Sequence, residues 1–403
     1  MVTGMDGAQI KELTGGINQR GLRNHNERLI LSVLQRFGPT AGSDLARMTR
    51  LSAQTVSNIL RKLEGDEVVM RGAPIKGKVG KPSVPMQLNP DGAFAIGLKI
   101  GRRSADVTLM DLCGAIRQQF STSYMNPVPT KVFDFLKVSM DKFYESLPGK
   151  LQTRICGIGV ATPFEFWNWL DQANVDKSSK QQWKNVEIAG EISEFSSLPI
   201  SVLNDATAAC RAEHLYGRGK EFDDYAYFFI GSFIGGGIVL DESVYVGKSG
   251  NAGAMGSMRS TGPQGESRQL VDVASLHLLY SRLEDASIPA NVLNESPEDW
   301  SEWSRYVDPW LGQTAQELAK ASLSACSVID FEAILIDGAF PRNVRDELAE
   351  RTQRYILNQD TRGLIPPRVE SGAIGRNARA MGAAAAPFIS QFFYDKTSGF
   401  SDT

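Results

Sequence analysis

One short stretch of this chain carries polar side chains at a spacing suited to reading a nucleic acid. Between Ser52 and Glu64 the apolar residues Val56, Ile59, Leu60 and Leu63 recur at helical spacing, which predicts a helix with one buried face. Gln54, Thr55, Ser57, Asn58 and Arg61 fall elsewhere on that helix. They offer short donors and acceptors and a guanidinium, the groups that bond to base edges in a major groove. Lys62 adds a cation for a phosphate. Further on, Lys76, Lys78 and Lys81 stand in the glycine-rich run Lys76-Gly-Lys-Val-Gly-Lys81, where they would lie along phosphates or in a minor groove.

The surrounding elements would position these groups. Ser52 is a candidate N-cap, because its hydroxyl can accept from an otherwise free backbone N–H. Ser43 is a candidate cap for a preceding helix through Leu45, Ala46 and Met48. Leu29, Ile30, Val33 and Leu34 give Asn24–Phe37 an apolar face. Glu67–Gly72 and Val84–Leu88 read as strands on either side of the basic run. Helix, turn, helix and wing in that order predict a winged helix-turn-helix over residues 1–90. The alternative is a helical bundle with a solvated basic loop.

Charge supports the first reading. Residues 1–90 hold 13 Lys/Arg against 7 Asp/Glu, and the remainder 30 against 39. A basic head on an acidic body suits a DNA-binding unit on a sensing unit. At 403 residues, 42% hydrophobic, the chain has room for two or three domains with sizeable cores. Cys113, Cys156, Cys210 and Cys326 are far apart and form no paired motif, which suggests reduced, buried thiols. Residues 1–14 lack the apolar centre of a signal peptide, and no run is long enough to span a membrane. A cytoplasmic location is expected.

Asn89-Pro90-Asp-Gly reads as the hinge to the body. Strands are expected at Ala93–Gly101, Ser104–Gly114, Ala115–Tyr124, Ile155–Ala161 and Ile200–Asp205, with helices at Val132–Leu147 and Ala206–Leu215. A second set has strands at Tyr225–Gly231, Ile234–Leu240 and Ala333–Gly338. Its helices are expected at Leu270–Leu283, Trp310–Ser327 and Arg342–Leu357, before an alanine-rich closing helix over Ala373–Phe393. The expected fold is α/β: a first lobe over 91–208, closed by a C-terminal helix near 385–403, and a second over 209–384, with a cleft between them.

At this point the chain resembles the ROK proteins (repressors, open reading frames and kinases), which have an actin-like, ribonuclease H-like sugar-kinase fold. The resemblance covers nearly the whole chain. It is carried by the wing Gly77-Lys-Val-Gly-Lys-Pro-Ser leading into Leu88-Asn-Pro-Asp-Gly, by Ile155–Pro163, by Val202-Leu-Asn-Asp-Ala-Thr-Ala-Ala, by Gly231-Ser-Phe-Ile-Gly-Gly-Gly-Ile-Val and by Gly250-Asn-Ala-Gly-Ala-Met-Gly-Ser. In the kinases of the family the cleft binds a sugar and ATP, and in the repressors it typically binds a sugar or sugar derivative.

The resemblance places Asp205 at the position of the kinase base, which would activate a sugar hydroxyl. Other positions depart from the kinase pattern. The first phosphate turn, Asp-x-Gly-Gly-Thr in the kinases, is here Lys99-Ile-Gly-Arg102-Arg103. The second carries Phe233 where close backbone approach needs glycine. The Glu-x-Gly-His sugar motif is Ala254-Met-Gly-Ser257, and Val271 stands where a second glutamate is usual. Gly262-Pro-Gln-Gly-Glu-Ser-Arg-Gln supplies no zinc thiolates. No catalysis, metal or cofactor is therefore expected.

Asn204 and Asp205 remain as effector contacts, with helix capping as the alternative for Asp205. Trp167 and Trp169, after Pro163, could stack on a sugar face, or could serve an inter-lobe or dimer contact. Trp300, Trp303 and Trp310 read as packing or dimer surface. Lys99, Arg102 and Arg103 could bind an anionic effector or simply be exposed at a turn. These observations point to a repressor of carbohydrate uptake or catabolism genes, binding double-stranded operator DNA as a homodimer or dimer of dimers and released by a carbohydrate-like effector. The rivals are a sugar kinase with an appended head and a regulator switched by a protein partner.

Overall fold

The computed structural model of the chain describes residues 19–74, 84–164, 177–262, 264–295 and 297–394. The head is built from α1 (Gln19–Phe37), α2 (Gly42–Thr49), α3 (Ala53–Gly65), β1 (Val69–Arg71) and β2 (Met86–Leu88). Ile30, Leu34, Leu45, Val56, Leu63, Val69 and Leu88 close its core. α2 ends at Arg50, whose φ of 57° turns the chain toward α3. Ser52 then caps α3, its Oγ accepting from the Thr55 N–H at 3.1 Å. Ser43 is not the cap of α2. The extended residue there is Ala41, and Ser43 lies inside the first turn. β1 and β2 pair antiparallel, and Thr40 forms a separate bridge to β2 by exchanging two backbone bonds with Met86, both 2.9 Å. The basic run holding Lys76, Lys78 and Lys81 lies outside the described residues, as do Trp167 and Trp169.

The first lobe follows in the order β3 (Phe94–Ile100), β4 (Ser104–Asp111), β5 (Ile116–Ser123), α4 (Pro129–Ser146), α5 (Gly149–Gln152), β6 (Ile155–Thr162), α6 (Lys177–Asn185), α7 (Ile188–Ser193), β7 (Ile200–Asn204) and α8 (Asp205–Tyr216). Its sheet runs β5-β4-β3-β6-β7, with the first three strands antiparallel and the last two parallel to β3.

The second lobe holds β8 (Tyr225–Ile230), β9 (Ile234–Leu240), β10 (Ser243–Tyr245), β11 (Arg259–Thr261), β12 (Ser267–Gln269), α9 (His277–Asp285), α10 (Val292–Glu295), α11 (Ser304–Cys326), β13 (Ala333–Gly338), α12 (Arg342–Leu357) and β14 (Arg368–Ser371). Its sheet runs β10-β9-β8-β13-β14. Relabelled within each lobe, both sheets have the same strand order and the same pattern of directions, so the body is one topology used twice.

The helix expected over Leu270–Leu283 is broken. Ser275 explains this: its hydroxyl donates to the Val271 carbonyl at 2.7 Å and accepts from the Ile234 N–H at 2.9 Å, tying the segment to β9. Trp300 and Trp310 are core residues. Their indole N–H groups donate to the carbonyls of Leu293 at 3.0 Å and Ser275 at 3.1 Å. Cys210 and Cys326 are buried, but Cys113 is exposed, contrary to expectation. Among the described residues no helix is long and apolar enough to cross a membrane.

The closing helix, α13 (Ala378–Gln391), begins before residue 385 and returns to the first lobe. It lies so close that a Cβ at Gly159 would strike the Ala383 carbonyl, and one at Gly382 would strike the Ala208 carbonyl on α8. Alanine and glycine are required here because two helices and a sheet meet backbone to backbone.

Candidate functional site

On α3 the buried face is Val56, Ile59, Leu60 and Leu63. Gln54, Ser57, Asn58, Arg61 and Lys62 are exposed, and Thr55 is half-buried. Several of these groups already have partners. Gln54 Nε2 donates to Asn58 Oδ1 at 3.0 Å, and the Thr55 hydroxyl lies 2.9 Å from Ser52 Oγ. Lys62 Nζ is bonded to both Glu27 oxygens of α1 at 2.7 Å. The outward face therefore offers amides, hydroxyls and the exposed guanidinium of Arg61, while Lys62 must leave Glu27 to reach a phosphate.

The head is bolted to the body through α1. Arg28 donates to the carbonyls of Phe393 at 2.9 Å, Ile389 at 2.7 Å and Ser390 at 2.7 Å. These carbonyls lie in and just past the last turn of α13, where a helix has acceptors without internal donors. Ser32 Oγ accepts from the Tyr394 N–H at 2.7 Å, and Gln35 donates to the Leu215 carbonyl on α8. The segment Asn89–Gly92, expected as a hinge, is clamped as well. Asn89 Nδ2 donates to the Glu67 carbonyl at 2.6 Å and Arg154 Nη1 to the Asp91 carbonyl at 2.7 Å.

At the other ends of α8 and α13 their first turns meet. Asn204, not Asp205, caps α8: its Oδ1 accepts from the N–H groups of Ala206 at 2.9 Å and Thr207 at 3.1 Å. Asp205 stands one position inside the helix and pairs with Arg379 of α13 at 3.2 Å. The Arg379 guanidinium also lies 5.0 Å from the Phe229 ring centroid.

The two glycine-type turns meet side chain to side chain. The Arg102 guanidinium sits over the Phe233 ring at 4.1 Å, and Phe233 meets His277 edge-on at 5.2 Å. Burial, helped by the neighbouring Arg103 charge, lowers the Arg102 pKa to about 10. Burial also lowers that of His277, whose Nδ1 is 3.3 Å from the Ser232 carbonyl oxygen. Lys99 is not exposed at the turn. It is buried, bonded to Ser104 Oγ at 2.7 Å and paired with Asp106 at 3.0 Å. Burial and the Arg379 charge lower its pKa.

The sequence pointed to Asp205, Arg102 and Phe233 but not to Arg379. An arginine in an alanine-rich segment carries no signal until α13 is folded beside α8. Ala254 and Val271 offer no side-chain acceptor, and Met255 and Val271 are buried apolar residues. Among the described residues no three His, Cys, Asp or Glu groups are arranged to hold a metal ion.

A winged helix on a doubled, two-lobed α/β body defines a DNA-binding head on a sugar-kinase-like fold. Residues 95–267 match the ROK family, and residues 23–70 match a winged helix-turn-helix DNA-binding family. The chain thus carries a ROK family domain behind a winged helix-turn-helix. The xylose repressor of Bacillus subtilis is 24% identical over 60% of this chain and 62% of its own length. The crystal structure of a ROK family transcriptional regulator, a homolog of the Escherichia coli MLC protein, superimposes with a TM-score of 0.64 at 20% identity, over 91% of this chain and 96% of that one. A ROK hexokinase from Thermus thermophilus gives a TM-score of 0.52 at 19% identity, over 74% of this chain and 98% of that one.

Proposed function

We propose that the chain is a transcriptional repressor of carbohydrate uptake or catabolism genes, acting in the cytoplasm as a homodimer on a palindromic operator and controlled by a carbohydrate-like effector bound between the lobes. The observation that carries this reading is the exposed face of α3, with Gln54, Ser57, Asn58 and Arg61 side by side over a closed core. Two such helices about one duplex turn apart would match two half-sites. Arg61 and the amides read base edges, and Lys62, Lys76, Lys78 and Lys81 hold phosphates. Asn204 Nδ2 and Asp205, with Trp167 or Trp169, contact the effector. The name of the xylose repressor supports a sugar as the controlling ligand.

The kinase alternative is disfavoured on chemical grounds. The residue at the base position is held by a guanidinium, and Arg102 and Phe233 occupy turns where phosphates need open backbone N–H groups. ATP turnover in the presence of sugars, abolished by Asp205→Asn, would establish the kinase instead.

The test is binding of purified protein to the DNA flanking its own gene, titrated with sugars, polyols and sugar phosphates. Specific binding released by one compound supports the repressor. Specific binding indifferent to every compound points to control by a protein partner, and absence of specific binding defeats the reading.

A further inference from the structure

The two lobes are joined along one seam and touch again beyond it. α13 lies on the first sheet, where a Cβ at Gly97 would strike the Ala380 carbonyl and one at Gly159 that of Ala383. α8 lies against the second sheet, where Cβ atoms at Gly235 and Gly237 would strike Ala206 and Cys210. The seam is the packing of these two helices. One core runs through it, from Met110 of the first sheet through Ala209 and Ala385 to Tyr225 and Val239 of the second. Outside the seam the lobes have separate cores, with Leu98 and Ile100 in one and Ile230 and Ile234 in the other.

Two turns grow from those separate cores. The first-lobe turn, residues 101–103, is braced within its own lobe: Tyr124 Oη donates to the Gly101 carbonyl at 2.6 Å, and the Gly101 N–H to the Ser104 carbonyl at 2.9 Å. The second-lobe turn, residues 231–233, is held by the start of α9. There the N–H groups of Leu276 and His277 donate to the carbonyls of Gly231 at 3.1 Å and Ser232 at 3.2 Å. Neither brace crosses between the lobes. What crosses is the Arg102 guanidinium, 4.1 Å from the centroid of the Phe233 ring. A desolvated cation is attracted to the face of a ring. Against this, Arg102 Nε is buried with no acceptor, which carries a desolvation cost. Attraction set against an unpaired donor leaves a contact that can open.

We infer that Arg102 and Phe233 form a latch between the lobes. It holds the two turns together when no ligand is bound, and the lobes part by breaking it while the seam of α8 and α13 stays packed as the hinge. The latch does not depend on the repressor reading. Under that reading, an effector entering between the turns works against the latch, whose strength then sets the effector concentration needed.

The experiment follows backbone hydrogen exchange in the whole protein, without ligand, for the parent, Arg102→Met, Phe233→Leu and the double variant. Both positions are half-buried and both substitutions keep an apolar side chain, so the fold should survive. Arg102→Met should speed exchange about tenfold in its own turn and also across the gap in residues 231–235. Phe233→Leu should do the same in residues 101–104. The double variant should exchange no faster than the faster single variant, because one contact is lost only once. Phe233→Tyr, which keeps the ring, should match the parent. α8 and α13 should keep the parent's protection in every variant.

Exchange that quickens only in the turn bearing the substitution, or effects that add in the double variant, would overturn the latch. Loosening that spreads through α8 and α13 would overturn the hinge. Operator binding is measured on the same proteins. Specific binding absent from all of them would sink the repressor reading and leave the latch, whereas purely local exchange effects would sink the latch whatever the operator does.

Discussion

Arg379 reaches Asp205 at 3.2 Å, and this pair joins the first turns of the two helices whose far ends hold the DNA-binding head. α8 and α13 lie against each other along their length through Ala208 and Gly382. At their C-terminal ends Leu215, Ile389, Ser390 and Phe393 receive hydrogen bonds from Gln35 and Arg28 of α1. α1 in turn holds Lys62 of α3 through Glu27. A ligand that prefers one arrangement of Arg379 and Asp205 therefore acts on a rigid pair of helices seated on the head. Such a ligand shifts the head only by its difference in affinity for the two arrangements.

Arg28→Met tests that connection. Three charge-assisted bonds to carbonyls are lost, which should cost about 2 kcal/mol in urea denaturation. Operator binding should persist, because α3 and its core are untouched. Effector-driven release should weaken, because the head loses its three bonds to the C-terminal end of α13. A variant that loses stability but keeps the full effector response would show that the signal travels by another route.

The ion pair between Lys62 and Glu27 gives a second expectation. Lys62 can neutralise a phosphate only by giving up Glu27, a competition between two anions for one ammonium. Glu27→Gln should tighten DNA binding about two- to fivefold on all sequences, the size of an exposed ion pair. Lys62→Ala should weaken binding uniformly and lower the salt slope by about one. Binding that is insensitive to both substitutions would remove Lys62 from the interface.

Much of the head was readable because its information is local. The period of Val56, Ile59, Leu60 and Leu63 and the Ser52 cap lie within one helix, and the structure places them as expected. In the body the long apolar strands β8 and β13 were visible for the same reason. β14 was not, since Arg368-Val-Glu-Ser is a short polar edge strand with no apolar alternation. The site was readable in type but not in pairing. Asp205 and Arg379 are 174 residues apart, and Arg28 and Phe393 are 365 apart. No spacing rule reports contacts made only when α13 folds back on the first lobe. Capping by Asn204 rather than Asp205 was missed because both residue types cap well, and only the backbone decides between them.

The contact between α8 and α13 makes Gly382 a sensitive position. An added methyl group would meet the Ala208 carbonyl, and neither helix can retreat without opening the interface to β3 and β6. Gly382→Ala should destabilise the protein by about 2 to 4 kcal/mol despite its higher helix propensity. Gly149→Ala, where an added Cβ meets nothing within 4 Å, should cost little and serves as the control. Equal stabilities of the two variants, measured by denaturant midpoint, would mean that the helices are less tightly apposed than described.

His277 supplies a pH dependence whose sign follows from its surroundings. Burial against Phe233, with the Arg102 charge nearby, holds its pKa below the ordinary histidine value of 6.5. As pH falls past that value, the unfolded chain takes up a proton that the folded chain refuses. The unfolded state then binds more protons, so stability must fall with pH. The contribution is fully present above the unfolded value and is lost as pH drops through the folded one. His277→Gln removes this dependence while keeping a polar group near the Ser232 carbonyl. The difference in unfolding free energy between the parent protein and the variant should therefore change between about pH 7 and pH 5, in the direction of relative loss for the parent. Every other ionisable group is common to both proteins, so its contribution cancels in that difference. A difference that stays constant across the window would mean that His277 takes up its proton as readily in the folded chain as in the unfolded one, and that the stack from Arg102 through Phe233 tolerates a second cation.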